Sequence, residues 1–292
     1  MEQVLPVSAT LRELLDAIYE RFNRWECVAP DPVEFVHRYE DRRDRELVAL
    51  VASSLAFGRV RQIHASVQAA LDRLGPSPWE TVCGSERREL ERRFDGFVHR
   101  FCSGVQLASL LSGARRVMED FGSLESCFAF HMRRHPGSPV SALQDFVAGL
   151  GASGAGCGML LAAPKKGSAC KRLHLFLRWM VRRDEVDPGG WTVLSPAELT
   201  VPLDTHMYRI GRFLGFTRRN QADGCAAREV TRGFRGIRPE DPVRYDFALA
   251  KFAMTEGAAL RKLLEPHLRS LPAVGAPLPP AHLSRVLSDT TT

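Results

Sequence analysis

The sequence predicts an all-α protein, a compact multi-helix bundle. Two observations carry this. Apolar residues recur at three- and four-residue steps along most of the chain, the spacing that lines one face of a helix. The period-two alternation of half-buried strands is nearly absent, and the segment from Trp191 to Val201 is the one candidate for extended chain. With 45% hydrophobic and 25% charged residues, the composition suits a globular chain with a core.

The elements follow in order. Leu11, Leu14, Leu15, Ile18 and Phe22 mark a first helix, and Leu47, Leu50, Val51 and Leu55 a second. Ile63, Val67, Ala70, Leu71 and Leu74 make a third, which Gly75-Pro76 ends. Further amphipathic runs cover about 104–119, 140–149, 171–183, 205–214, 223–235 and 243–263. Residues 149–169 carry six glycines and read as a flexible loop. The proline-rich stretch 269–292 reads as a disordered tail, which leaves one α domain over 1–268. GLGASG, from Gly149 to Gly154, matches a dinucleotide fingerprint literally. A helical pattern precedes it instead of a strand, so no nucleotide cofactor is implied.

Charge and cysteines exclude several classes. Forty Lys and Arg against thirty-four Asp and Glu give +6, a modest excess that suits an anionic partner. From Lys165 to Arg183 there are seven basic residues and no acid. The seven cysteines are scattered and form no C-x-x-C pair, which argues against a zinc or iron–sulfur site and for reduced thiols, buried or partly buried. The opening MEQVLPVSATLRELL lacks the basic and apolar regions of a secretory signal, and no run approaches the roughly 18 apolar residues of a membrane span. A soluble cytoplasmic protein, monomeric and without a metal or cofactor, is the expectation.

The chemistry concentrates in residues 167–216. Asp204 stands immediately before a helix whose apolar positions include Met207, Ile210, Phe213 and Leu214. There its carboxylate caps the first turn, and the N–H donors and helix dipole favour the anion. In the preceding helix Leu173, Phe176, Leu177, Met180 and Val181 share one face, with Lys171, His174, Arg178 and Arg182 on a neighbouring stripe. Lys171 follows the turn at Gly167-Ser168 and so lies in the first turn, where backbone N–H groups receive phosphates. Taken singly, Lys171 reads as a solvated surface lysine or a simple phosphate contact and Asp204 as a simple cap.

The stretch VPLDTHMYRIGRFLGF resembles the aspartate-bearing segment of the helix-hairpin-helix DNA glycosylases, the endonuclease III superfamily, through Asp204, Thr205, His206, Arg209, Arg212, Leu214 and Gly215. Gly167 and Lys171 stand where that superfamily places a glycine turn and a nucleophilic lysine. RELVALVASSLAFGRVRQI is similar to its early helices. More closely, the chain resembles bacterial proteins that share KRL-x-LFLRWMVR, PLDTH and DPV-x-YDFAL blocks, found here at 171–182, 202–206 and 241–249. Asp204 follows Lys171 by 33 residues, a separation nearer the archaeal branch specialised for 8-oxoguanine than the endonuclease III type. PKKGSACK stands in place of the usual L-P-G-V-G hairpin, and the terminal four-cysteine cluster is absent.

The resemblance implies a bifunctional DNA glycosylase and AP lyase acting on an oxidised purine flipped out of the stack. Lys171 would attack C1′ as a neutral amine. A free lysine, with a pKa of about 10.4, needs desolvation and neighbouring cations such as Lys166 and Arg172 to reach that form. Asp204 would take the proton and stabilise charge developing on the sugar. Asp246, in RYDFALAKF, and Gln62, in FGRVRQI, are candidate base contacts. His206 adjoins the aspartate, with a structural part in the resembling enzymes. Lys165, Lys166, Arg172, Arg178 and Arg182 form the expected footprint on DNA phosphates. Two rival readings remain: a non-catalytic DNA- or RNA-binding protein using the basic helix 171–183, and an all-α scaffold.

Overall fold

The computed structural model describes residues 10–151, 156–157 and 160–269. Part of the expected glycine-rich loop, and all but the first residue of the expected tail, lie outside these. The described chain is all-α apart from one two-stranded ribbon. In chain order its helices begin with α1 (Leu11–Phe22), α2 (Arg42–Ser54), α3 (Val60–Leu74) and α4 (Pro78–Gly84). Next come α5 (Arg87–Arg93), α6 (Gly104–Phe121), α7 (Leu124–Arg134), α8 (Pro139–Gly151) and α9 (Lys171–Val181). The last are α10 (Thr205–Phe213), α11 (Gly224–Ile237) and α12 (Asp246–Leu264). Among the described residues no helix is long and apolar enough to cross a membrane.

The chain divides into two units. One is Val28–Ser195, and the other joins Met1–Cys27 to Pro196–Thr292. The first is built on α2, whose residues from Leu47 to Ala52 are all fully buried. A helix apolar on every side needs neighbours on every side. It has them in the 3-10 segment Pro32–Arg38, α3, α4 and α9. In the same unit α6 packs against α5, α7 and α8. A short antiparallel ribbon, β1 (Val98–His99) with β2 (Cys102–Ser103), precedes α6 and pairs His99 with Cys102.

In the second unit α12 packs against α1 and α10, and α10 packs against α11. A capping box opens α1: Thr10 Oγ1 accepts from Glu13 N–H, and the Glu13 carboxylate accepts from Thr10 N–H. Phe22 stacks on Phe252 with ring centroids 4.9 Å apart. Close approach of α10 and α11 depends on Gly211, where an added Cβ would meet a Val230 methyl at 2.4 Å.

Two sequence expectations change here. Trp191 to Val201 forms no strand; it is bends with a 3-10 turn at Pro196–Glu198. Its N–H groups find side chains instead of a ladder, Thr192 and Val193 donating to Glu125 and Val201 to Thr231. Helices α4, α5 and α7 were not foreseen. The first two are only seven residues each, and α5 (RRELERR) holds one apolar residue, so neither gives a period to read.

Candidate active site

Lys171 is the first residue of α9 and is half-buried. The chain reaches it through Gly167 at φ 76° and Cys170 at φ 47°, two left-handed residues that turn the backbone sharply into the helix. Ser168 Oγ accepts from Cys170 N–H at 3.1 Å and steadies that turn. No side chain caps α9; the Cys170 carbonyl accepts from Leu173 N–H at 3.0 Å and from His174 N–H at 3.1 Å. Lys171 Nζ donates to the Ala56 carbonyl at 3.2 Å, which fixes the direction of the side chain. Beside it, Arg172 donates to the Ser54 carbonyl at 2.7 Å and lies over the Phe57 ring at 4.8 Å.

The end of α2 and its following loop thus form one wall around Lys171. His99 supports that wall from the other side. Its Nε2 meets the Phe57 carbonyl at 3.0 Å, its Nδ1 meets Ser66 Oγ at 2.8 Å, and its ring stands edge-on to Phe57 at 4.5 Å. Facing a carbonyl, Nε2 carries the proton and Nδ1 accepts from the serine. Burial lowers the His99 pKa and keeps the ring in this neutral form. The adjoining tip of the ribbon leaves Arg100 and Phe101 exposed.

The basic stripe expected along α9 is largely buried, with Lys171 half-buried at its start. Arg178 is 2% exposed and Arg182 4%. Arg178 Nε pairs with Asp187 Oδ1 at 3.1 Å, and Arg182 pairs with Asp187 and, at 2.8 Å, with Asp184. Asp187 itself is fully buried. Buried charges persist only when paired, and the acids that pair these arginines begin at residue 184, one past the acid-free stretch. Arg178 and Arg182, expected as phosphate contacts, are instead buried and ion-paired, while Lys171 and Arg172 on the same helix are half-buried and Arg183 just beyond it is exposed. Arg172 serves at least in part to anchor its own helix. Lys165 and Lys166 remain exposed, on the 3-10 turn Pro164–Lys166. His174, on the same stripe, is buried, and burial alone pulls its pKa from 6.5 to about 4.

Asp204 caps α10 as the sequence predicts: its Oδ1 accepts from Met207 N–H at 2.7 Å. It is half-buried, as is His206 in the first turn. Asp246 is the first residue of α12 and is 5% exposed. Gln62 lies exposed in the first turn of α3. Lys171, Arg172 and Gln62 belong to the first unit, and Asp204, His206 and Asp246 to the second.

Residues 31–255 match the model of a family described as "Protein of unknown function (DUF2400)". The chain belongs to the DUF2400 family. No curated protein matches it, and no solved structure matches it. The DUF2400 match takes in every candidate residue from Gln62 to Asp246 and stops within α12.

Within this DUF2400 chain the structure adds groups that the sequence reading passed over. Glu46, 1% exposed on the apolar helix α2, accepts from Leu124 N–H at 2.8 Å and from Trp191 Nε1 at 2.9 Å. Burial raises its pKa against the pull of those donors. Glu125 pairs with Arg42 and takes the N–H groups of Thr192 and Val193. These two acids tie α2, α7 and the chain beyond α9 together. A lone acid within RELVALVASS was the available signal for the first. The cysteines are free thiols, and burial pushes Cys102 up to about 11 and Cys127 to about 12, which disfavours the reactive thiolate at these two positions.

Proposed function

We propose that this protein is a bifunctional DNA glycosylase and AP lyase that removes an oxidised purine, of the 8-oxoguanine kind, through a Schiff base on Lys171. The observation that carries this reading is the placement of Lys171. It is the first residue of an uncapped helix, led in by a left-handed turn and aimed along the wall that Ala56 and Phe57 make. An amine in that position can meet a sugar whose 5′ or 3′ phosphate rests on the first-turn N–H groups.

The steps balance as follows. The neutral amine of Lys171 forms a bond to C1′, the glycosidic C1′–N bond breaks, and the base leaves with a proton. Opening of the sugar ring gives the imine. Loss of a C2′ proton then expels the 3′ phosphate by β-elimination, and water hydrolyses the imine to restore the lysine. Asp204 takes the ammonium proton and stabilises the charged sugar; its part comes from the resemblance of PLDTH to the aspartate segment of the glycosylases. Asp246 and Gln62 are assigned to the flipped base, and His206 to the support of Asp204. Lys165 and Lys166 remain as phosphate contacts. The reaction needs no cofactor, and we assign it to a monomer in the cytoplasm.

Borohydride trapping on a duplex carrying 8-oxoguanine, and on one carrying an abasic site, tests the reading. Wild-type protein is expected to form a covalent adduct and Lys171→Gln none. Absence of an adduct on both duplexes refutes lyase chemistry. Equal trapping by the variant moves the nucleophile to Lys165 or Lys166. Asp204→Asn, which keeps a side-chain oxygen able to cap α10, is expected to lose turnover with little change in stability.

A further inference from the structure

The exposed positive charge of the described chain lies outside α9. Residues 205–238 hold eight arginines against Asp223 and Glu229, an excess of six that equals the formal net charge of the whole protein. Both acids are occupied. Asp223 caps α11 through Ala226 N–H at 2.8 Å and pairs with Arg219 at 2.6 Å. Glu229 accepts from Thr217 Oγ1 at 2.5 Å. Arg218, Arg228, Arg232 and Arg235 are exposed and face no carboxylate among the described residues.

Three of these form a stripe. Arg228, Arg232 and Arg235 recur at four- and three-residue steps on α11, opposite the face that buries Ala226, Ala227, Val230 and Phe234. Like charges at such spacing repel and cost helix stability, so the stripe is unfavourable until an anion neutralises it. Arg228 is held by Cys225 Sγ at 3.0 Å and Arg235 by the Ala197 carbonyl at 3.0 Å, which limits the freedom either loses on binding.

We infer that this arginine stripe, with Arg218, is a docking surface for the phosphate backbone of duplex DNA. All four cations are arginine, whose planar fork fits phosphate oxygens in pairs. From Arg228 to Arg235 the helix rises roughly 10 Å, enough to follow about three phosphates of one strand. No large hydrophobic residue is exposed within 205–238, so a lipid surface would gain electrostatic attraction alone there and no apolar burial. The inference rests on the reading of DNA as partner and gives that partner a second place of contact. It involves no lysine chemistry.

The test is binding of the full-length protein to an undamaged 20-base-pair duplex, followed by fluorescence anisotropy over a range of salt. Wild-type affinity is expected to fall steeply with salt. Arg228, Arg232 and Arg235 changed together to Gln should weaken binding at least about tenfold at low salt and flatten the log–log slope by up to about 2.7. The control is Arg92, Arg133 and Arg134 changed together to Gln, three exposed arginines elsewhere with the same charge loss. An unchanged slope in the α11 variant, or an equal loss in the control, overturns the surface. Displacement of the duplex by phosphatidylserine vesicles or polyglutamate at equal charge overturns the choice of DNA. Because the duplex carries no lesion, failure here leaves Schiff-base trapping intact, and failure of trapping leaves this measurement intact.

Discussion

Two helices of this protein carry arginines at nearly the same spacing and use them in opposite ways. On α9 and at its C-cap, Arg178 and Arg182 are buried against Asp187, and the helix packs on α2. On α11, Arg228, Arg232 and Arg235 stand in solvent, and the acids nearby are engaged elsewhere. In the sequence α9 looks the more basic, because its acids start just beyond the run of cations. The difference teaches that a charge run becomes a surface only when nothing within reach in the fold can pair it. For a guanidinium the choice is severe, since it cannot shed its proton to escape burial.

The sharpest way to break the comparison is Asp187→Asn. The substitution keeps the shape and removes the charge that Arg178 and Arg182 share, leaving two guanidiniums in a site built around that carboxylate. The expected cost is about 3–5 kcal/mol, read as a fall in the urea midpoint at unchanged slope. A loss under about 1 kcal/mol would show that these arginines are not neutralised by Asp187, and the contrast with α11 would disappear.

Acid offers the next test, because His174 shares the buried stripe. Its folded pKa is pulled from 6.5 to about 4, so between those values the unfolded chain binds the extra proton. Stability from this group is complete above pH 6.5 and falls as the pH drops toward 4, by up to about 3 kcal/mol. Burial of His99 and His131 works in the same direction, whereas the raised pKa of Glu46 works against it. The measurement is therefore a difference: unfolding free energy of wild type minus that of His174→Gln, taken from pH 7 to pH 4. A difference that stays flat across this window would place His174 in contact with water.

Much of the fold was legible because long helices repeat their apolar positions. The runs read at 171–183, 205–214 and 223–235 end within two residues of α9, α10 and α11, and the Gly75 stop and the Asp204 cap fall where their chemistry requires. The short α4 and α5 offered too few turns for a period. The site was legible in part. Lys171 at the head of a helix follows from Gly167 and the apolar face behind it, since both are local facts. Its wall does not, because Ala56, Phe57 and His99 approach it from 72 to 115 residues away in sequence, and no local pattern marks a carbonyl as a partner. The pairing of Arg178 and Arg182 is hidden in the sequence for a related reason: their acids, Asp184 and Asp187, lie in the turn beyond the helix, outside its periodic pattern.

The smallest effect is the most discriminating. Arg232→Gln removes an exposed charge that lies one turn from Arg228 and has no carboxylate partner among the described residues. Nothing in the folded protein depends on that guanidinium, so the change in unfolding free energy should stay within about 0.5 kcal/mol. Relief of the like-charge pair at four-residue spacing sets its sign, a gain of about 0.2–0.5 kcal/mol that vanishes in high salt. A clear loss of stability would mean that Arg232 is structural. It would then belong with Arg178, and the stripe would have a reason to exist without any anion to bind.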